Sequence, residues 1–204
     1  MNDHVVITRL LYKDYYDFRK RLELYKETAL DCLKKQTNQS FDIAVLCNPE
    51  HQEDIRELGI IPFFRKDRQL GGHVGKYWHT MTPWENIEGL KKYKTQTNLD
   101  SDDIVSADYI EKIKSIAKGD KSLHIHFQPR LYNYNTGEEK KTNIRYNNSG
   151  SMFYSLYQPL ERYTYIGHDS HKTMGNYASK SILVGEGYAW LTIHDNNDSS
   201  TWNT

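Results

Sequence analysis

Hydrophobic and polar positions in the first part of the chain follow two different periods. Val5 to Leu11 is β-branched and mostly apolar, which is typical of a strand buried on both faces. The next segment places apolar residues at three- and four-residue steps, which predicts a helix with one apolar face. These apolar positions are Tyr15, Phe18, Leu22, Tyr25, Ala29 and Cys32. Asp14 is placed to cap this helix, and Thr37-Asn38 ends it.

Two further strands follow, with a short helix between them. Phe41 to Cys47 reads as a second buried strand, closed by Asn48-Pro49. Residues 50–58 form a short polar helix, and Ile60 to Phe64 makes a third strand. This alternation of strands and helices predicts a parallel, doubly wound α/β sheet. Right-handed crossovers then place the carboxyl ends of the strands at one edge.

The second half of the chain is richer in strand patterns. Ser106 to Ala117 predicts a helix, and residues 123–127 alternate cleanly between apolar and polar side chains. Residues 132–134 and 143–146 look like further strands around a turn. His124 and His126 share one face of their strand. Because no third ligand is in view, we expect a solvated face there and not a metal site.

Three carboxylates, Asp100, Asp102 and Asp103, occupy four positions directly after a strand-like run at 93–99. Carboxylates at the carboxyl end of a strand lie where open α/β sheets bind their ligands. A cluster this acidic repels itself unless a cation is present, and oxygen ligands suit Mg²⁺ or Mn²⁺. The motif therefore predicts a metal-assisted reaction on a phosphorylated substrate.

Two other interpretations of this acidic motif are weaker. A calcium loop would use Asp100, Asp102 and Glu111, but Ile104 and Val105 take the positions of a ligand and of the glycine. No helix precedes the motif either. A helix N-terminus stabilised by its acidic side chains is the second alternative, although three adjacent carboxylates repel more than a helix dipole returns.

Other polar residues converge on the same predicted edge of the sheet. The residues that we expect to bind a nucleotide there are Thr8, Arg9, Asn48, Arg65, Lys76 and Asp100. Lys76 closes the glycine-rich stretch 70–76, which lacks the spacing of a phosphate-binding P-loop. This stretch is either a flexible connection or a mobile lid over the ligand, with Lys76 or Arg68 touching phosphate.

Composition narrows the classes of partner and compartment. Lys+Arg and Asp+Glu both number 27, so the chain lacks the basic surplus of a nucleic-acid-binding protein. Sixteen tyrosines suit sugars and bases as well as ordinary cores. Cys32 and Cys47 read as buried thiols, which favours a reducing, cytoplasmic location. The N-terminal residues do not resemble a signal peptide, and no apolar run reaches the ~18 residues of a transmembrane helix.

The chain resembles a known family, the rhamnosyltransferases with the GT-A fold, which are similar to glycosyltransferase family 2. The resemblance spans nearly the whole chain. It is carried by Thr8-Arg9, Gln36, residues 41–46, the Leu99-Asp100-Ser101-Asp102-Asp103 motif, and Ile193-His194-Asp195-Asn196-Asn197. Asn98 departs from the family's Thr-Arg-Leu-Asp run, in which arginine takes this position.

The resemblance implies one GT-A-like domain over residues 1–204, with a mixed, mainly parallel central sheet and a more β-rich C-terminal half. Residues 1–103 would bind the nucleotide sugar, and residues 104–204 would bind the acceptor and carry catalytic residues. It further implies a UDP- or dTDP-sugar donor, a glycan or glycoconjugate acceptor, and Mn²⁺ or Mg²⁺. Asp100 would face the ribose or the cation, and Asp102 would be the principal metal ligand, supported by Asp103.

Two late segments are candidates for the remaining chemistry. His194 would be a third protein ligand of the cation, as in several GT-A families; alternatively, it caps the final turn. Asp169 is the first candidate for the base that takes the acceptor proton, and His168 is the second. The pair could instead orient the acceptor hydroxyl. A zinc site made with His171 lacks the helical spacing of two histidines.

We therefore expect a metal-dependent glycosyltransferase that moves rhamnose or another hexose to a glycan hydroxyl. A catalytically silent nucleotide- or sugar-binding module of a larger protein is the main alternative. A nucleotidyltransferase ranks last, because no glycine-rich phosphate signature follows the first strand.

Overall fold

The computed structural model describes residues 2–12, 14–65, 84–85, 87–90, 92–142, 153–159 and 174–193. The strands are β1 His4–Leu10, β2 Asp42–Cys47, β3 Ile61–Arg65, β4 Trp84–Glu85, β5 Thr95–Asn98, β6 Ile104–Val105, β7 Leu123–Phe127, β8 Arg130–Asn133, β9 Glu139–Lys141, β10 Tyr154–Tyr157, β11 Lys180–Val184 and β12 Ala189–Ile193. The helices are α1 Tyr15–Glu27, α2 Ala29–Lys34, α3 Gln52–Arg56, α4 Ile87–Leu90 and α5 Tyr109–Ile116, with 3-10 turns at Pro49–His51 and Met174–Tyr177.

A large sheet carries the carboxyl edge expected from the sequence. In the described residues its order is β11-β7-β10-β5-β1-β2-β3-β4. β1, β2, β3 and β5 run parallel, and β7 and β11 share their direction, whereas β10 runs antiparallel between β5 and β7. β4 is antiparallel to β3. The predicted mixed, mainly parallel sheet flanked by helices is therefore confirmed.

A smaller sheet with the order β6-β12-β8-β9 forms the β-rich second part. β12 pairs antiparallel with β6 and parallel with β8. Because β6 begins only six residues after β5 ends, this sheet is attached directly to the carboxyl edge of the large sheet. The predicted helix from Ser106 begins later, at Tyr109. The predicted strand at 143–146 lies outside the described residues.

The predicted long first helix is divided at Thr28. Asp14 caps its start as expected, because its Oδ1 accepts hydrogen bonds from the amides of Tyr16 at 2.8 Å and Asp17 at 3.2 Å. Thr28 has non-helical dihedral angles, and its hydroxyl donates to the carbonyl of Leu24 at 2.6 Å. A threonine hydroxyl that bonds the preceding turn competes with helix continuation, so α1 and α2 are separate helices.

Two apolar clusters cover the faces of the large sheet. On one face Val6 and Leu10 of β1 pack with the buried side chains of α1, α2 and α5. On the other face Val5 and Ile7 pack with a smaller cluster that includes Tyr93. β1 is thus buried on both faces, as its apolar run predicts. None of the helices in the described part is long and apolar enough to cross a membrane.

A buried polar ladder crosses three strands of the large sheet. The Nε2 atom of His4 lies 2.7 Å from the hydroxyl of Thr97, which lies 2.7 Å from the hydroxyl of Ser155. Burial, with a smaller contribution from the nearby charge of Lys114, lowers the pKa of His4 from 6.5 to about 3. The imidazole is therefore neutral in the folded protein at every pH near neutrality.

The prediction that His124 and His126 form a solvated face is wrong. Both side chains are fully buried, and the ring of His124 lies 5.8 Å from that of Tyr154 in β10. The two histidine rings are nearly parallel, with centroids 5.0 Å apart. Nδ1 of His124 lies 3.0 Å from the hydroxyl of Ser181, whereas neither ring nitrogen of His126 has a hydrogen-bond partner among the described residues.

Acid should destabilise the protein in part through His4. Its pKa is 6.5 when unfolded and about 3 when folded, so between these values the unfolded state binds one more proton. Stability should fall as the pH drops below about 6.5, by up to ~1.4 kcal/mol per pH unit. His4→Asn should flatten this slope when urea unfolding is followed between pH 6.5 and 5. Equal slopes for both proteins would contradict the neutral, buried state of His4.

Replacing the two histidines of β7 should have unequal effects. His126→Leu removes two unpartnered nitrogens, so we expect a neutral or slightly stabilised protein, by up to ~1 kcal/mol. His124→Leu also removes the contact with Ser181 and should be about 1 kcal/mol less stable than His126→Leu. Urea unfolding of both variants measures this difference. A larger loss for His126→Leu would show that its imidazole makes a further interaction.

Candidate functional site

The acidic motif forms a turn between the two sheets. β5 ends at Asn98, and the amide of Leu99 still donates to the carbonyl of Ile7 in β1 at 3.1 Å. The amide of Asp103 then donates back to the carbonyl of Asp100 at 3.3 Å. The acidic turn, residues 99–103, therefore lies beside the end of β1. A helix N-terminus is the wrong interpretation of this motif, because β6 and not a helix follows it.

Arg9 and Asp100 meet at the carboxyl edge, as the parallel topology predicts. Arg9 lies near the end of β1, and its guanidinium donates to Oδ1 of Asp100 at 2.6 Å. The side chains are 33% and 25% exposed, so the pair remains accessible to a ligand. The strands bring together two groups that are 91 residues apart in sequence.

Asp102 pairs with an arginine that the sequence did not single out. Nη1 of Arg21, from α1, lies 2.8 Å from Oδ2 of Asp102, and the two side chains are only 18% and 15% exposed. Nε of Arg21 donates to the hydroxyl of Tyr12 at 2.8 Å. The guanidinium is thus held between the acidic turn and the β1–α1 connection.

Asp103 faces into the protein. Its side chain is 2% exposed, and Oδ1 accepts a hydrogen bond from the backbone amide of Thr192 at 3.1 Å. Burial raises the pKa of Asp103 well above its usual range, and the nearby charges of Asp102 and Asp100 raise it further. The three carboxylates of the acidic turn therefore have different surroundings.

The other predicted nucleotide-binding residues do not all lie at the surface of the carboxyl edge. Thr8 is fully buried in β1, so its side chain belongs to the core and not to the surface of the edge. Asn48 follows β2, and its amide donates to the carbonyl of Tyr12 at 2.5 Å. Arg65 ends β3 at the same edge. The remaining predicted site residues, Lys76, His168, Asp169 and His194, lie outside the described residues.

Aromatic side chains extend the edge at the start of α1. Tyr15 and Tyr16 are 55% and 76% exposed. Behind them the rings of Phe18 and His51 stack with centroids 3.8 Å apart, and His51 also contacts the carbonyl of Tyr12 at 3.1 Å. The apolar spacing assigned Tyr15 to the buried face of the helix, but its side chain is exposed at the start of α1.

The donor set of the acidic turn fits a hard divalent cation. Within the described ranges no group of three or more His, Cys, Asp or Glu side chains is arranged to hold a metal. Asp100 and Asp102 are nevertheless two partly exposed carboxylates on one turn. Mg²⁺ is commonly bound by one or two carboxylates, with substrate phosphates and water completing its coordination. Such a cation would compete with Arg9 and Arg21 for the carboxylate oxygens.

The fold is GT-A-like. It resembles residues 1–349 of S. aureus TarS, crystallised with UDP-GlcNAc, with a TM-score of 0.57 and 12% identity over 98% of this chain and 61% of that chain. The complex of TarS 1–349 with UDP has a TM-score of 0.55 and 12% identity, over 95% of this chain and 61% of that chain. Another crystal structure of TarS has a TM-score of 0.55 and 14% identity, over 95% of this chain and 37% of that chain. The chain thus spans about three fifths of the TarS 1–349 chains, and no curated protein matches its sequence.

Residues 7–204 match the family described as "Putative rhamnosyl transferase". The chain belongs to this family, which confirms the resemblance inferred from its motifs. The family match and the fold resemblance both extend over most of the chain.

Removing the positive charge of Arg21 should destabilise the protein measurably. Arg21→Met leaves a largely buried carboxylate without this counter-charge, which we expect to cost about 1–3 kcal/mol. Lys26→Met is the matched control, because the exposed Lys26–Glu23 pair should contribute less than ~0.5 kcal/mol. Urea unfolding measures both. Equal losses would show that the Arg21–Asp102 pair has no special weight.

Proposed function

We propose that this protein transfers a sugar, rhamnose or another hexose, from a UDP- or dTDP-sugar to a hydroxyl of a glycan or glycoconjugate, with Mn²⁺ or Mg²⁺. The observation that carries the proposal is the acidic turn, which presents two partly exposed carboxylates, Asp100 and Asp102, at the carboxyl edge of a GT-A-like sheet. Family membership supports the transferase class, and the TarS complexes with UDP-GlcNAc and UDP support a nucleotide-sugar donor.

The chemistry to be assisted is the departure of a nucleoside diphosphate, which gains negative charge as the sugar leaves. When bound, the cation would neutralise that charge, held by Asp100 and Asp102 with His194 as a further ligand. Arg9 adds a fixed positive charge at the same edge. A guanidinium has five N–H donors, so Arg9 can hold Asp100 and also donate to a phosphate oxygen. Arg9 would thereby supply the charge that Asn98 lacks relative to the family.

Other residues of the chain would position the reacting groups. Arg21 fixes the orientation of Asp102, and Asn48 holds the backbone at Tyr12, where the nucleoside would enter. Asp169 is the proposed base for the acceptor hydroxyl, with His168 as the second candidate. Arg65 and Lys76 remain proposed contacts of the diphosphate.

The division of labour between the halves also remains a proposal. We place sugar-donor binding in residues 1–103 and acceptor binding in residues 104–204 of one GT-A-like domain. The position of β10 supports one domain, because this strand of the second half pairs with β5 of the first. Cys32 and Cys47 are free thiols whose pKa values are raised by burial, which suits a reducing, cytoplasmic setting.

Calorimetry with UDP and dTDP, each with and without Mn²⁺, tests the proposal. One nucleotide should bind at concentrations on the order of 1 mM or below, and more tightly with Mn²⁺. Asp102→Ala should weaken binding by about tenfold or more, because a carboxylate ligand is lost. Asp120→Ala, which removes an exposed carboxylate from the Gly119-Asp120 turn, should bind as the wild type does. Absence of nucleotide binding, or unchanged binding after Asp102→Ala, would refute the proposal.

A catalytically silent binding module is the second candidate, because the chain spans only 61% of the TarS 1–349 chain. Transfer or hydrolysis of the sugar donor that depends on added metal distinguishes an enzyme from such a module. Release of pyrophosphate from a nucleoside triphosphate would instead indicate the nucleotidyltransferase considered above.

A further inference from the structure

The last carboxylate of the acidic turn is built differently from the other two. Asp100 and Asp102 pair with arginines and are partly exposed. Asp103 is 2% exposed, and it reaches across to β12, where its Oδ1 accepts from the amide of Thr192. A side chain in this position does not face a ligand at the edge. Its contact instead joins the turn to the small sheet.

The hydrogen bond between Asp103 and Thr192 continues the backbone pairing of β6 with β12 beyond the last paired residues. The amide of Ser106 donates to the carbonyl of Tyr188 at 3.0 Å, and Trp190 lies opposite Ile104. Hydrogen-bonded pairs alternate along an antiparallel ladder, so the next β12 amide that faces β6 is that of Thr192. β6 begins at Ile104 and therefore does not extend opposite Thr192. The carboxylate of Asp103 instead accepts the hydrogen bond from this amide. The side chain extends the pairing by one step into the acidic turn.

The acidic turn is held independently from its other side. The hydroxyl of Thr28, at the break between α1 and α2, lies 3.1 Å from the carbonyl of Ser101. Arg9 and Arg21 hold the exposed carboxylates. The turn is therefore a fixed reference point, and the Asp103 bond determines where the end of β12 lies relative to it.

From this geometry we infer that Asp103 is a positioning residue: it fastens the end of β12, at Thr192, to the acidic turn and therefore beside the proposed sugar-donor site. The inference rests on the proposed function, since it makes the end of β12 one side of that site. Asp103 itself touches neither nucleotide nor cation. Its effect on binding passes through Thr192 and the position of β12.

Three variants separate positioning from general stability. Asp103→Leu removes the acceptor at similar size, whereas Asp103→Asn keeps an oxygen that can accept from Thr192. Thr192→Pro removes the amide hydrogen from the opposite side of the same bond, at a point where β6 no longer pairs. Hydrogen exchange of backbone amides and calorimetry with UDP and Mn²⁺ are measured on the full chain.

Asp103→Leu should speed exchange at Thr192 by about tenfold or more, leave exchange in β1 and β2 unchanged, and weaken binding of UDP with Mn²⁺ by about tenfold. Asp103→Asn should resemble the wild type in both measurements. Thr192→Pro should weaken binding as Asp103→Leu does, and it serves as the test if Asp103→Leu does not fold.

The failures of the two proposals are distinguishable. A wild-type protein that binds no nucleotide overturns the proposed function and this inference with it. If the wild type binds UDP with Mn²⁺ and Asp103→Leu or Thr192→Pro binds it equally tightly, the inference alone is overturned. Weakened binding with faster exchange throughout β1 and β2 also overturns it, because that pattern reports general destabilisation.

Discussion

Like-charge repulsion within the acidic turn is the constraint on which the carboxyl edge of the large sheet depends. Three carboxylates in four positions can coexist only if each finds a different partner. Asp100 takes Arg9 from β1, Asp102 takes Arg21 from α1, and Asp103 turns inward to an amide of β12. The contacts that relieve the repulsion are thus the same contacts that assemble strand, helix and small sheet around one turn.

This balance also determines how the edge meets a charged ligand. Arg9 and Arg21 offset Asp100 and Asp102, so the charges of these four groups sum to about zero, as do those of the whole chain with 27 positive and 27 negative side chains. Such a site does not attract anions over long distances. Recognition of a nucleoside diphosphate would then depend on short-range exchange of partners, in which a cation enters together with the phosphates.

Periodicity and topology were sufficient to predict much of this arrangement. The apolar runs predicted β1, β2 and β3, and parallel strands necessarily brought Arg9 and Asp100 to one edge. Arg21 could not be found in this way, because its partner depends on how α1 crosses the sheet. The break at Thr28 depends on a distant partner too, since its hydroxyl reaches Ser101.

The errors share one physical cause. Alternation correctly placed His124 and His126 on one face, but whether that face is buried depends on side chains that come later in the chain, such as Tyr154, whose ring lies beside that of His124. β6 is only two residues long, too short for any period to show. Local patterns therefore predicted the elements, whereas burial and pairing required the complete sheet.

The antiparallel strand β10 has a consequence for the folding of the protein. Among the described strands, β10 links β7 and β11 to β5, and the chain supplies β10 after both β5 and β7. The strands on either side of β10 can form separately, but they join only when β10 pairs with both β5 and β7. This step is slow, because the pairing residues are far apart in sequence. Until then β5 presents an unpaired edge to other chains. The rate of that pairing would govern how long a newly made molecule is vulnerable to aggregation.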